Sequence, residues 1–312
     1  MPTIKTTPKD FFLHLGATIA LFVSAVALIN LSFSSINYAF PDVLAGYFSA
    51  SSVILPISVL IILVPALYIL EWMAGKDLKI SPDKRVILVR RWRIFLTLFL
   101  TGATILGDLI ALLYSYLNGE ITTRFICKIL VVLVVAGVIF TYYLLERGDS
   151  EDKAKSAKYT LAVLGVILAF ASIAGGFYIV GSPTKQRALR FDSQKVNDLT
   201  NIQYQITNYW QYKQQLPGSL PDLNDSISGF KAPTDPLTHL SYDYSPKGSS
   251  SFELCAVFTL SSKDNVDKNG YGIQTAPVSS IINNGNDSWS HAAGHVCFQR
   301  TIDPSRYPPA RK

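Results

Sequence analysis

Residues 159–181 read YTLAVLGVILAFASIAGGFYIVG, a stretch without one charged side chain. Such a run is read as a membrane-spanning helix, because about 20 residues at 1.5 Å each cross the hydrocarbon of a bilayer. Four other apolar runs precede it, and about 130 residues with no span follow it. The stretch is therefore expected to be the last membrane crossing and the stalk of a soluble domain.

Working towards the N-terminus, the other runs are Phe11–Phe33, Val53–Met73, Ile94–Leu117 and Phe125–Leu145. Pro56 and Pro65 each remove a backbone donor from the second, so a kink is expected there. The totals agree: 312 residues, 16% charged, with a mean hydropathy of +0.27. The first run is too long for a cleavable signal peptide and has no small-residue cleavage site before the next span.

Charge placement gives an orientation. Lys5 and Lys9 precede the first span; Lys76, Lys79, Lys84, Arg85, Arg90, Arg91 and Arg93 lie between the second and third; Arg147, Lys153, Lys155 and Lys158 lie between the fourth and fifth. The alternate loops hold no Lys or Arg and one, Arg124. The positive-inside rule then puts the N-terminus in the cytoplasm of a plasma membrane and everything after Gly181 outside it. The same rule explains the basic loop with Trp92 without an acidic partner, and the net charge of +6 without nucleic acid.

Beyond Ser182-Pro183, residues Thr184–Lys213 carry Val196, Leu199, Ile202, Ile206, Tyr209 and Trp210 at amphipathic-helix spacing. Leu216-Pro217-Gly218 ends that helix. Strands are expected over Leu240–Tyr244, Phe252–Leu260 and His295–Ile302, separated by Gly, Ser, Asn and Asp loops. Cys255 (in FELCAVF) and Cys297 (in HVCF) both fall in the exported part, where an oxidising compartment favours a disulfide between them. Cys127, at the outer end of the fourth span, reads as an ordinary small apolar residue.

Two resemblances rest on particular residues. PKDFFLHL (Pro8–Leu15), INYAFPD (Ile36–Asp42), KRVILVRRW (Lys84–Trp92) and GEITTRF (Gly119–Phe125) resemble an uncharacterised family of bacterial membrane proteins, a domain of unknown function. That implies a four-helix bundle over roughly Pro8–Arg147 and no known activity. The apolar helix, the amphipathic helix ending at Tyr209–Tyr212, LPGSLPDL (Leu216–Leu223) and PTDPLTHLSYDY (Pro233–Tyr244) are similar to type IV pilins and major type II secretion pseudopilins. That likeness implies a long helix packed on a small antiparallel sheet. Ala157-Lys158-Tyr159 replaces the prepilin-peptidase junction, and Thr160–Leu164 lacks the early glutamate, so the likeness speaks for the fold and not for filament assembly.

Few residues suggest chemistry. Asp108 is the one acid well inside a span, about 13 Å from its outer end; Lys128 and Asn30 are its expected partners. It reads either as an ion or proton site or as a structural polar clamp, and the clamp is preferred. His291, His295 and Cys297, with His239 as a fourth, approach a zinc spacing. Gly294 breaks the element that would align the two histidines, however, and Cys297 is better used in the disulfide. Asp267 and Asn269 match the first half of a calcium loop, but its twelfth position is Ala276 where a bidentate Glu belongs. No metal and no cofactor is therefore expected. Tyr204, Tyr209, Trp210 and Tyr212 read as core packing and not as a nucleic-acid platform, since the exported part balances thirteen Lys/Arg with eleven Asp/Glu. No nucleophile elbow, Walker loop, HExxH or kinase signature appears.

The sequence thus predicts an all-α bundle of five transmembrane helices and a small α+β, pilin-like extracytoplasmic domain. The divisions are a four-helix domain (1–150), the fifth helix with its cytoplasmic lead-in (151–182), the outer domain (183–303) and a disordered tail (304–312). The expected function is a non-enzymatic membrane scaffold offering the outer domain to a protein partner, by resemblance secretion or pilus-type machinery. The alternative is a small transporter or signal transducer centred on Asp108.

Overall fold

The computed structural model describes residues 7–40, 51–80, 87–119, 121–147, 151–262 and 289–308. The chain forms two compact units, residues 1–180 and 181–312.

The first unit contains α1 (Pro8–Ala39), α2 (Ser51–Ile80), α3 (Leu88–Leu117), α4 (Thr123–Arg147) and α5 (Glu151–Val180). Among the described residues, five helices are long and apolar enough to cross a membrane, which points to a multi-pass membrane protein. Local chemistry starts α1 cleanly. Thr7 caps it, Pro8 occupies the first turn where its missing N–H costs nothing, and Asp10 reaches back to the Thr7 amide at 3.3 Å. Pro56 leaves the Ser52 carbonyl without its usual helical donor, and the Ser34 hydroxyl of α1 donates to that oxygen at 3.1 Å. The proline is thus accommodated by a neighbouring helix.

Leu28 and Leu31 of α1, Val53, Ile57 and Leu60 of α2, Val135 of α4 and Val180 of α5 form the interior of this unit. Gly176 of α5 lies where α1 and α2 converge: a methyl group there would come within 2.6 Å of Ile57 Cδ1 and 3.1 Å of Leu31 Cδ1. Most other large apolar side chains face outward, among them Phe12, Ile62, Phe99, Leu117 and Phe170. An apolar exterior of this extent suits lipid, not water.

Gly181, at φ +78°, ends α5. Ser182 then caps α6 (Pro183–Lys213), accepting from the Lys185 amide at 3.2 Å. Leu199, Ile202, Ile206 and Trp210 lie along one face of α6 and pack on the second unit's sheet, β1 (Asp243–Pro246), β2 (Ser251–Phe258) and β3 (Gly294–Thr301). The order is β1-β2-β3 and both pairings are antiparallel. Phe252, Leu254, Ala256, Phe258 and Phe298 face α6. By the two-residue period of strands, Cys255, Val257, His295 and Cys297 take the opposite face.

The start of β1 and the structure of residues 304–308 differ from expectation. β1 begins at Asp243, not Leu240, because the Leu240 carbonyl accepts from the Asp235 amide (2.8 Å) in a turn closed by the Asp235 side chain. Residues 304–308, expected to be disordered, form a turn in which the Asp303 carboxylate accepts from Ser305 and Gln211 of α6 donates to the Pro308 carbonyl. Residues 304–308 are tied back by hydrogen bonds that composition alone does not reveal.

Candidate functional site

The densest polar chemistry of the first unit lies at one end of the bundle, where α1, α3 and α5 begin and α2 and α4 finish. Each consecutive pair of helices is joined there by an ion pair. Lys9 of α1 meets Asp77 of α2 at 2.9 Å. Arg93 of α3 meets Glu71 of α2 at 2.9 and 3.3 Å. Arg90 of α3 pairs with Glu146 of α4, whose second oxygen takes Lys158 of α5 at 3.2 Å.

Burial makes these pairs more than surface decoration, except Lys9–Asp77, whose lysine is 62% exposed. The Arg93 side chain is 4% exposed, and its guanidinium also lies over the Tyr143 ring, 5.6 Å from the centroid. His14 is buried beside this network, within electrostatic range of Arg93, Arg90, Asp10 and Glu146, and its Nδ1 has no hydrogen-bond partner among the described residues. In the sequence, Arg90 and Arg93 read as loop charges, and Asp10, His14, Glu71, Tyr143 and Glu146 do not stand out. The available signal was an ionisable residue one or two turns inside the end of an apolar run, as in FFLHL, ILEWM and YYLLER.

The expected intramembrane trio does not assemble. Asp108 is half-buried on α3 and its Oδ2 has no partner among the described residues. Lys128 lies 5.4 Å from the centre of the Phe33 ring, and Asn30 is exposed. No hydrogen bond or ion pair links the three.

In the second unit, Cys255 and Cys297 are disulfide-bonded across directly paired positions of β2 and β3. His291 and His295 have different settings. His291 is buried and stacked on Phe258, with ring centroids 3.7 Å apart. That burial pushes its imidazole below the usual histidine range, against the opposing hydrogen bond to the Ala292 carbonyl. His295 is exposed and meets Asp243 at 3.1 Å. His239 is exposed in the turn after Asp235, while Asp267 and Asn269 lie outside the described residues. Among the described residues, one group has metal-ligand proximity, Cys255, His295 and Cys297, and the disulfide occupies both of its sulfurs. Of the aromatic cluster, Trp210 is in the core, donating to the Ser249 carbonyl at 3.1 Å, whereas Tyr204 and Tyr212 are exposed.

Two buried charges bind α6 to the sheet and its loops. The Asp192 carboxylate accepts from the Thr259 amide (3.0 Å) and the Leu260 amide (2.8 Å) just beyond β2. Lys195 donates to the Val257 carbonyl at 2.6 Å and pairs with Asp235 at 3.1 Å. Both roles are structural: each charge meets protein partners at a helix–sheet seam.

Residues 10–143 match a family model described as Domain of unknown function (DUF5671). The matched region runs from Asp10 of α1 to Tyr143 of α4, and so includes His14, Glu71, Arg90 and Arg93 but neither Glu146 nor Lys158. No curated protein and no solved structure matches the chain.

Proposed function

We propose that the protein is a non-enzymatic membrane anchor that holds its α+β unit at the outer face of the cytoplasmic membrane for a protein partner. The observation that carries this reading is the row of ion pairs joining α1 to α2, α2 to α3, α3 to α4 and α4 to α5 at one end of the bundle. A network that fastens every helix to the next suits a fixed platform better than helices that rock to pass a substrate. The Lys/Arg distribution supports a cytoplasmic N-terminus, and five crossings then carry α6 and the sheet outside. The long helix, the antiparallel sheet and the LPGSLPDL and PTDPLTHLSYDY segments support a pilin-like unit, and with it a partner in secretion or pilus-type machinery.

A second reading has its own observation. The unpartnered Asp108 oxygen on α3 would suit a small transporter or signal transducer with the outer unit as sensor.

Crosslinking in intact cells with a lysine reagent that cannot cross the membrane tests the anchor. The expected result is one reproducible protein partner joined through Lys185, Lys213, Lys231 or Lys247. Labelling of these lysines with no partner recovered would overturn it. Labelling only after the cells are opened would overturn the orientation.

A further inference from the structure

On the solvent face of the sheet, two side chains, Asp243 and His295, lie beside the disulfide. Asp243 of β1 is paired in register with Cys255 of β2, which is paired with Cys297 of β3. His295 precedes Cys297 by two residues and so shares its face. His295 Nε2 is 3.1 Å from Asp243 Oδ2, and Nδ1, the other ring nitrogen, is 3.9 Å from Cys297 Sγ. The imidazole therefore bridges a carboxylate and a sulfur. Its ligating atom and both sulfurs lie within 4.8 Å of one another.

The two cysteines differ in access. Cys297 is exposed, whereas Cys255 is 7% exposed. The bond also lies away from the core: Phe252, Leu254, Phe258 and Phe298 pack on the other face, and eight paired positions hold β2 to β3. Opening it would leave the sheet assembled. A disulfide that is exposed and dispensable to the core is the kind that thiols reach and reduce.

We propose that Cys297 and Cys255 are a thiol–disulfide exchange site, with Cys297 as the exchanging sulfur, Cys255 as the resolving one, and Asp243–His295 as the pair that stabilises the Cys297 thiolate. The co-reactant is a dithiol, either a small molecule or a vicinal pair on another protein. One of its thiolates attacks Cys297 Sγ. The intramolecular S–S bond breaks, and Cys255 leaves with the electron pair and takes up a proton. The second thiolate of the co-reactant then attacks the co-reactant's own sulfur in the mixed disulfide. Cys297 departs as a thiolate facing His295 Nδ1, while Nε2 stays beside Asp243 Oδ2. Two electrons pass to the protein and the co-reactant becomes a disulfide. The other charged group along this face of β2 is Glu253, which is paired with Lys247 at 3.0 Å and leaves the imidazole to Asp243.

The full-length protein in detergent micelles tests this without a known partner. In Cys255→Ser, the rate of iodoacetamide alkylation at Cys297 is followed against pH by peptide mass spectrometry, which separates it from Cys127. Half-maximal rate is expected at least one pH unit below the ordinary thiol value of about 8.5. His295→Ala should return it to that range, and Asp243→Asn should move it part of the way. In the otherwise unaltered chain, glutathione should reduce the disulfide while the outer unit stays folded by tryptophan fluorescence. His295→Ala should shift that equilibrium roughly tenfold towards the disulfide. A Cys297 profile centred near 8.5 and indifferent to His295 overturns the proposal. So does a disulfide that glutathione opens only once the outer unit unfolds.

Discussion

Arg93 and Glu71 meet at two points, 2.9 and 3.3 Å, and in doing so hold the start of α3 against the end of α2. The guanidinium is 4% exposed and the carboxylate 27%. Removing one partner of a buried pair leaves the other charge desolvated and unpaired, at a cost of about 3 kcal/mol. Glu71→Ala should therefore lower the melting temperature of the detergent-solubilised protein by several degrees. Replacing both residues by methionine should recover most of the loss, since a packed apolar pair needs no compensation. A Glu71→Ala protein that melts with the parent would show that the pair does not fasten α2 to α3.

Adjacent glycines of α5 should respond very differently to the same change. A Cβ at Gly176 would meet Ile57 and Leu31, both buried, whereas one at Gly175 meets nothing within 4 Å. Overpacking a filled interior costs about 1–3 kcal/mol. Gly176→Val should destabilise the bundle by that amount, and Gly175→Val should leave its melting temperature within a degree or two. Equal effects would mean that α5 does not approach α1 and α2 at this position.

These two contacts also mark the limit of what the sequence discloses. The spans were legible because uninterrupted apolar length leaves one physical solution. Their ends were not. Asp77, Arg90 and Glu146 look like loop charges but belong to helices, because partners 56 or 68 residues away neutralise them. The disulfide could be anticipated from two cysteines in strand-like runs of an exported segment. That His291 would stack on Phe258 while His295 took Asp243 could not, because both depend on how the strands register. A glycine's neighbours are similarly invisible until the helices are packed.

Asp108 carries a prediction that separates the two functional readings. One of its carboxylate oxygens lacks a partner among the described residues, and an acid at the centre of a span costs about 2.5–3.5 kcal/mol on insertion scales. If it has no role in transport or signalling and its charge is simply unpartnered, Asp108→Asn and Asp108→Leu should melt at the parent temperature or above, and crosslinking of the outer unit should be unchanged. Loss of outer-unit crosslinking at normal expression and melting temperature would move the function to α3.

Asp235 gives the second unit a defined response to acid. Burial alone would push its carboxyl upward, but the Leu237 and Thr238 amides and the Lys195 ammonium outweigh that effect and hold it below the usual carboxylate range. An unfolded aspartate titrates near 3.9, so between that value and the lower folded one the unfolded chain binds more protons. The stabilisation from Asp235 is therefore complete above about pH 4 and is lost as pH falls through the folded value. Asp235→Asn keeps the shape but gives up the charge. It should melt below the parent at pH 7, by the equivalent of about 1–3 kcal/mol. The gap should close towards pH 2.5. Asp225 and Asp303 are likewise held low, chiefly by the Ile227 amide and by the Ser305 side chain respectively, but they are common to both proteins and cancel in the difference. Trp72→Phe and Trp92→Phe would leave Trp210 and Trp289 as the reporters, restricting the fluorescence to the second unit. A gap that stays constant down to pH 2.5 would mean that Lys195 and the turn amides gain nothing from the ionised form.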